Sequence, residues 1–177
     1  HQSTLLRVSQ WCITVDMIPP ATPKQRMLIL ADGRLDLFAA KTTVGLLRYR
    51  PDEVVAVLDR EHAGGDLEQL VGAGKGVPIV ESVEAALPLR PDTFVIGIAP
   101  PGGKLPDAWS KIILTAIRAK MDIVSGLHTS LADVPAFAAL AQQHGVNLID
   151  IRKSTDELFL LKKLSDQNVQ QKLFTLS

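Results

Sequence analysis

The stretch "FVIGIAPPGGKLPDAW" (residues 94–109) changes from strand-like to helix-like character within one short segment. Its apolar first part predicts a buried strand, and Pro106 stands at a typical first-turn position of a helix. Two prolines, two glycines and Lys104 separate the two parts. Ligands of open α/β sheets bind beyond the carboxyl ends of the strands. The segment is therefore either an ordinary turn or a backbone cradle for a ligand.

The same alternation of strand and helix runs through the middle of the chain. Short apolar runs bounded by Gly, Pro or charged residues predict six strands, at 26–33, 52–60, 77–82, 93–100, 121–128 and 146–152. Helical patterns occupy 38–50, 82–89, 106–120 and 133–145. Continuous apolar runs are typical of strands buried on both faces of a parallel sheet. We therefore predict an α/β fold, a doubly wound and mainly parallel Rossmann-like sheet of about six strands with helices on both faces.

Local signals set the expected helix ends. Ser82 and Asp133 are predicted N-caps, and Gly145 is a predicted helix stop. The run "VGAGKGVP" (71–78) resembles a P-loop only superficially, because Gln69 and Gly76 stand where that motif needs Gly and Ser or Thr. A flexible turn before the third strand is the better interpretation.

The ends of the chain do not follow this alternation. We expect an N-terminal extension at 1–25, a Rossmann-like domain at 26–153 and a C-terminal helical tail at 154–177. The tail opens with the capping-box pair Ser154 and Glu157. Its helix either packs on the sheet or docks a partner or a further domain.

Composition limits the classes of partner. The 19 basic and 19 acidic residues balance, and aromatic residues are only 5% of the chain, so no nucleic-acid partner is expected. No apolar run approaches a membrane span, and no membrane partner is expected. A single cysteine, Cys12, excludes an internal disulfide framework and fits a cytoplasmic protein. Cys, His and carboxylates do not occur at ligand spacing, so no metal site is expected.

Two candidate anion sites follow predicted strands. Lys41 and Thr42, with Thr43, lie near the beginning of a helix, where free N–H groups favour a carboxylate or phosphate, although Lys41 is equally consistent with a solvated helix residue. Gly102 and Gly103 can expose successive N–H groups as an anion-binding nest.

Asp59 ends the second strand, where dinucleotide folds place an acidic residue on a ribose hydroxyl. The alternative is an Asp that makes a turn with its own backbone. The G-x-G-x-x-G fingerprint is missing after the first strand, which favours the turn.

The last two predicted strands end in further polar residues. His128 is a candidate general acid or base, a ligand contact or merely a helix cap. Asp150 and Arg152 either pair with neighbours, or Arg152 anchors an anionic substrate. His62 and His144 lie in polar stretches typical of the surface and are not expected to take part.

Taken together in this order, KT-x-x-GLLRYR, APPGG, SGLH and D-x-RK resemble the N-terminal domain of the DUF1611 family over about residues 27–153. The resemblance implies a Rossmann-like domain that is joined, in the parent protein, to a C-terminal P-loop domain resembling dethiobiotin synthetase. It also implies relatives that are D-glutamate N-acetyltransferases using acetyl-CoA. The matching site positions are Lys41, Thr42, Gly102, Gly103, Gly126, His128, Asp150 and Arg152.

After "IDIRK" the printed sequence departs from the family pattern, and chemistry that needs the P-loop domain is not expected from this polypeptide alone. We predict a domain that binds a small anionic ligand, either an acidic amino acid or the phosphates of an acyl-CoA or nucleotide, in one shared pocket. His128 would contact or deprotonate the acceptor amine. The alternatives are an NAD(P)-binding oxidoreductase domain, which Asp59 favours, and a non-catalytic regulatory or assembly module. Association into a homo-oligomer is left open.

Overall fold

The computed structural model describes residues 24–35, 40–98 and 105–152. Its six strands are β1 (Met27–Leu30), β2 (Val54–Leu58), β3 (Ile79–Val80), β4 (Thr93–Ile96), β5 (Asp122–Ser125) and β6 (Leu148–Asp150). All neighbouring pairs are parallel, and the order across the sheet is β3-β2-β1-β4-β5-β6. All six predicted strands and the predicted parallel sheet are confirmed.

Five helices connect these strands: α1 (Lys41–Tyr49), α2 (Leu67–Val71), α3 (Val83–Ala86), α4 (Asp107–Arg118) and α5 (Pro135–His144). Strand order runs outward from β1 in one direction and from β4 in the other. Because parallel crossovers are right-handed, this reversal puts α1 and α2 on one face of the sheet and α3 to α5 on the other. Contacts of α4 with both α3 and α5 agree with that division.

The core lies around the two central strands. Every residue of β1 and β4 is buried, as helices on both faces require. The predicted apolar side of α4 is confirmed, since Trp109, Ile113 and Ala116 are all buried. In α1, the residues at the predicted helical spacing, Ala40, Val44 and Leu47, are buried as well.

The helix ends show which local signals are reliable. Ser82 caps α3 by accepting a hydrogen bond from the Ala85 N–H at 3.1 Å, and Gly145 ends α5 with φ 67°, so both predictions are confirmed. The Asp133 prediction is wrong, because Asp133 belongs to a short 3₁₀ turn and Val134 occupies the N-cap position of α5. A proline at the first helical position favours helix formation there without a side-chain cap.

Helix α2 was not predicted. It is only five residues long and begins at the N-cap Asp66, whose carboxylate accepts from the Glu68 N–H at 2.9 Å. The following Gly-rich run forms the predicted turn, with positive φ at Gly72, Gly74 and Gly76.

None of the helices in the described part of the chain is long and apolar enough to cross a membrane. The predicted extension at 1–25 and tail at 154–177 fall almost entirely outside the described residues.

Gly97, just after β4, allows α1 to pack closely on the sheet. A Cβ at this position would collide with Thr43 Oγ1 on α1 and with Ile29 Cγ2 on β1. The Thr43 hydroxyl donates a hydrogen bond to the Gly97 carbonyl oxygen at 3.1 Å. This contact fixes the start of α1 beside the ends of β1 and β4.

We expect Gly97→Ala to lower the free energy of unfolding by about 1–3 kcal/mol, because the methyl group overpacks this contact. Gly45→Ala is the matched control, since a Cβ there would have no atom within 4 Å and the position lies inside α1. That change should raise the stability by about 0.5–1 kcal/mol. Urea unfolding measures the free energy of unfolding of both variants. Equal changes in the two variants would contradict the close packing of α1 on the sheet at Gly97.

Candidate functional site

The carboxyl ends of all six strands meet at one edge of the sheet, and the loops that follow them form the candidate site. Strand order reverses between β1 and β4, so a crevice is expected at that point. The residues just after β1 and β2, and the first turn of α4, flank it.

Asp32 is the most tightly held side chain at this crevice. Arg60 donates to both of its carboxylate oxygens, from Nε to Oδ1 and from Nη2 to Oδ2, each at 2.7 Å. The indole Nε1–H of Trp109 donates to Oδ2 at 2.8 Å. The Asp32 side chain is only 8% exposed, whereas that of Arg60 is 54% exposed. We call these three residues the Asp32 clamp; it ties the loops after β1 and β2 to α4.

The charges within the clamp reinforce one another. The hydrogen bonds from Arg60 hold the pKa of Asp32 below its ordinary value of 3.8, against the opposing effect of burial, and the Trp109 N–H acts in the same direction as Arg60. The same bonds raise the pKa of Arg60. Asp32 is therefore ionised near neutral pH and serves as a fixed acceptor.

The backbone at the clamp is also constrained. Asp32 has φ 22° and Gly33 has φ 73°. A Cβ at Gly33 would lie 2.8 Å from the Glu61 Oε1 atom, so the loop after β1 also approaches the loop after β2 closely. Glycine suits both the positive φ and the lack of space.

Lys41, Thr42 and Thr43, which the sequence analysis placed together at the beginning of α1, differ in their exposure to solvent. Lys41 and Thr42 are exposed, but Thr43 is fully buried and uses its hydroxyl on the Gly97 carbonyl. Ala40 provides no side-chain cap, and no acidic residue stands in this turn. Within the described residues, Lys41 and Thr42 at this helix start therefore suit an anion.

His128 and Arg152 are brought together from the loops after β5 and β6. Arg152 Nη1 lies 3.3 Å from His128 Nε2, and both residues are exposed. Because a guanidinium only donates, Nε2 accepts in this contact. The Asp150 carboxylate instead accepts from the Arg152 backbone N–H at 3.0 Å and shapes the turn.

Gly126 lies where the loop after β5 passes the end of β6. A Cβ there would be 3.1 Å from the Ile151 Cδ1 atom, so the glycine permits this approach. Gly102 and Gly103 lie outside the described residues, and the predicted nest stays a prediction.

Asp59 makes the turn with its own backbone that was one of its two predicted roles. Its Oδ1 accepts from the N–H groups of Glu61 at 2.9 Å and His62 at 3.2 Å, and its side chain is fully buried. A ribose contact by Asp59 stays a prediction that this turn does not favour.

The predicted site residues follow strands at different positions along the sheet edge. Neighbouring strands lie roughly 4.8 Å apart, so the ends of β1 and β6, three places apart, are roughly 14 Å from each other. Lys41 follows β1 and Arg152 follows β6. That both residues hold carboxylate or phosphate in one shared pocket stays a prediction.

Sequence reasoning missed the Asp32 clamp. Asp32 lies at the end of the first predicted strand run and Arg60 at the end of the second, which was a usable signal because parallel strand ends lie at one edge. Trp109 was counted only as an apolar residue of α4, and its indole N–H was overlooked. Across residues 24–35, 40–98 and 105–152, no three His, Cys, Asp or Glu side chains converge as metal ligands would.

Comparison with known proteins identifies the family of this chain. A family model described as "Domain of unknown function (DUF1611_N) Rossmann-like domain" matches residues 60–154, more than half of the chain. The chain belongs to the DUF1611_N family. This DUF1611_N chain also resembles the crystal structure of a DUF1611 family protein from Anabaena variabilis. The TM-score is 0.67 and the identity 46%, with 73% of this chain and 37% of that chain covered.

Two curated relatives carry the name D-glutamate N-acetyltransferase. The protein from Tritonibacter scottomollicae is 36% identical over 127 residues, which is 71% of this chain and 35% of that protein. The protein from Pseudoalteromonas sp is 45% identical over 71 residues, which is 40% of this chain and 21% of that protein. The DUF1611_N chain thus spans about a third or less of the length of these relatives.

Asp32→Asn tests the clamp. At about pH 7 we expect it to lower the free energy of unfolding by about 1–3 kcal/mol, a range that allows for solvent around Arg60. The pKa of Asp32 is lowered by folding, so its contribution is present above pH 3.8 and is lost as the pH falls through the folded-state value. The difference between wild type and variant in urea unfolding should therefore shrink in acid.

Asp52→Asn is the control, because Asp52 pairs with Lys24 at 3.3 Å while 78% of its side chain is exposed. Its loss should cost about 0–1 kcal/mol. Equal losses at the two positions, or a loss at Asp32 that acid leaves unchanged, would contradict the role given to the clamp.

Proposed function

We propose that this domain binds a small acidic substrate at the His128–Arg152 pair and forms part of a larger enzyme that transfers an acetyl group to an amine. The 3.3 Å contact between His128 and Arg152 carries this proposal, because it places a candidate base beside a cation at the carboxyl edge of the sheet. The names of the two curated relatives support the choice of D-glutamate as substrate.

Arg152 supplies the anchor for a substrate carboxylate. A guanidinium carries five N–H groups in a planar fork, and the contact with His128 engages one of its nitrogens. A carboxylate that engages the guanidinium weakens its hold on His128 Nε2. That nitrogen is then able to accept a proton from the substrate amine.

Lys41 and the first turn of α1 suit a second anionic group. Both Lys41 and Thr42 are exposed, the turn has no acidic residue, and its N–H groups are not capped by the Ala40 side chain. These residues fit the phosphates of acetyl-CoA, which supplies the acetyl thioester when bound. A P-loop domain in the parent protein is the proposed partner for the rest of the reaction.

Arg152→Gln tests the substrate anchor. Isothermal titration of the chain with D-glutamate should give saturable binding that the variant weakens about tenfold, the loss of one hydrogen-bonded charge pair. Arg118→Gln is the matched control, because Arg118 is exposed at the end of α4, at the opposite edge of the sheet.

The proposal fails if this chain does not bind D-glutamate, or if both Arg variants bind it equally. A parallel titration with NADH tests the alternative that the domain belongs to an NAD(P)-binding oxidoreductase. Micromolar binding of NADH without binding of D-glutamate would favour that alternative.

A further inference from the structure

A histidine and a buried aspartate meet at the end of β2, away from the His128–Arg152 pair. Asp59 Oδ2 lies 3.2 Å from His62 Nδ1, and the Asp59 side chain is fully buried. The other carboxylate oxygen is held by two backbone N–H groups, those of Glu61 and His62. The carboxylate is thus fixed relative to the ring.

The surroundings of this contact determine where the ring carries its proton. Asp59 Oδ2 and His62 Nδ1 are both sealed from solvent and lie 3.2 Å apart, and neither makes a hydrogen bond of good geometry to any described residue. Two acceptors at this distance in a buried place would repel each other. The proton therefore lies on Nδ1, and Nε2 of the neutral ring is an acceptor. A carboxylate that orients a base in this way is the arrangement found behind activated nucleophiles and general bases.

His62 lines an open cavity of about 420 Å³. About a third of its side chain is exposed, and since Nδ1 is sealed, that third belongs to the rest of the ring, which carries Nε2. His62 is thus a partly buried residue in contact with Asp59, a placement that the sequence did not indicate. Leu70, 36% exposed, gives the same cavity an apolar wall.

The charge of the cavity indicates what it takes. Glu61 and Asp66 line it, and none of its eight described lining residues is Lys or Arg. An anion would be repelled there, whereas a protonated amine is attracted by the carboxylates and donates hydrogen bonds.

We propose that this cavity is a second ligand site, specific for a primary ammonium group on a short alkyl chain. The ammonium donates to His62 Nε2, Glu61 and Asp66 supply the opposite charge, and Leu70 contacts the chain. Strand β2 lies four places from β6, roughly 19 Å away. The site is therefore separate from the His128–Arg152 pair and does not depend on the function proposed for it.

The first test reads the ring proton directly. Nitrogen NMR of the whole chain, recorded over a pH series, should show the His62 proton on Nδ1 wherever the ring carries a single proton. Asp59→Asn preserves the Oδ1 acceptor for the backbone but presents an amide donor to the ring, so the proton should move to Nε2. Protonation at Nε2 in the wild type would overturn the proposal.

The second test uses n-butylammonium as the probe. Titration should shift the backbone amide signals of Gly64 and Gly65 saturably, whereas butyrate and tetramethylammonium, which lacks an N–H donor, should leave them unchanged. His62→Gln and Asp59→Asn should each weaken binding about tenfold. His144→Gln, at the end of α5, is the control and should bind as the wild type does.

Binding that survives His62→Gln, equal binding of butyrate, or no saturable shift would overturn the proposal. Dispersed amide spectra establish that each variant is folded. His62→Gln alone carries the test if Asp59→Asn unfolds, because His62 is partly exposed and its loss leaves the Asp59 backbone contacts in place.

Discussion

The carboxylate of Asp32 is the constraint on which the geometry of the ligand edge depends. It lies almost buried at the point where strand order reverses, and it receives hydrogen bonds from Arg60 and Trp109. Through these bonds the loop after β1 is fixed against the loop after β2 and against α4. A buried carboxylate without its partners would be costly, so the three elements are held together as a unit. Gly97 and Thr43 add a second tie, between α1 and the ends of β1 and β4.

The residues along this carboxyl edge of the sheet differ in charge from one part to the next. Around β2 and α2 the cavity is lined by Glu61 and Asp66 and by His62, whose Nδ1 lies 3.2 Å from Asp59 Oδ2. At β5 and β6 the exposed pair is His128 and Arg152, and at the start of α1 it is Lys41 and Thr42. Although the formal net charge of the chain is zero, one region of this edge is therefore suited to cations and two regions are suited to anions.

Much of the fold could be predicted from the sequence, because parallel strands that are buried on both faces give continuous apolar runs, and such runs are easily recognised in a sequence. The six runs, the Ser82 cap and the Gly145 stop depend on local chemistry, which a sequence displays directly. Helix α2 was missed because five residues are too few to show a helical period. Asp133 was misassigned because its polar side chain suits a cap, while Pro135 begins the helix one residue later than expected.

The site was less predictable, because it depends on contacts between distant residues. Asp32 and Trp109 are 77 positions apart in the chain, and only the strand order brings them within a hydrogen bond. His128 and Arg152 could be predicted as site residues by their place after strands, but their mutual contact could not. The contact of His62 with the buried Asp59 was likewise not visible in the sequence, because it depends on how the turn after β2 folds.

The most direct test of this account is to map D-glutamate onto the chain by amide NMR during a titration. We expect saturable shifts in the loops after β5 and β6, around His128 and Arg152, with Gly64 and Gly65 unchanged. Shifts confined to the loop after β2, or no saturable shift in the chain, would contradict the central claim that the His128–Arg152 pair holds the acidic substrate.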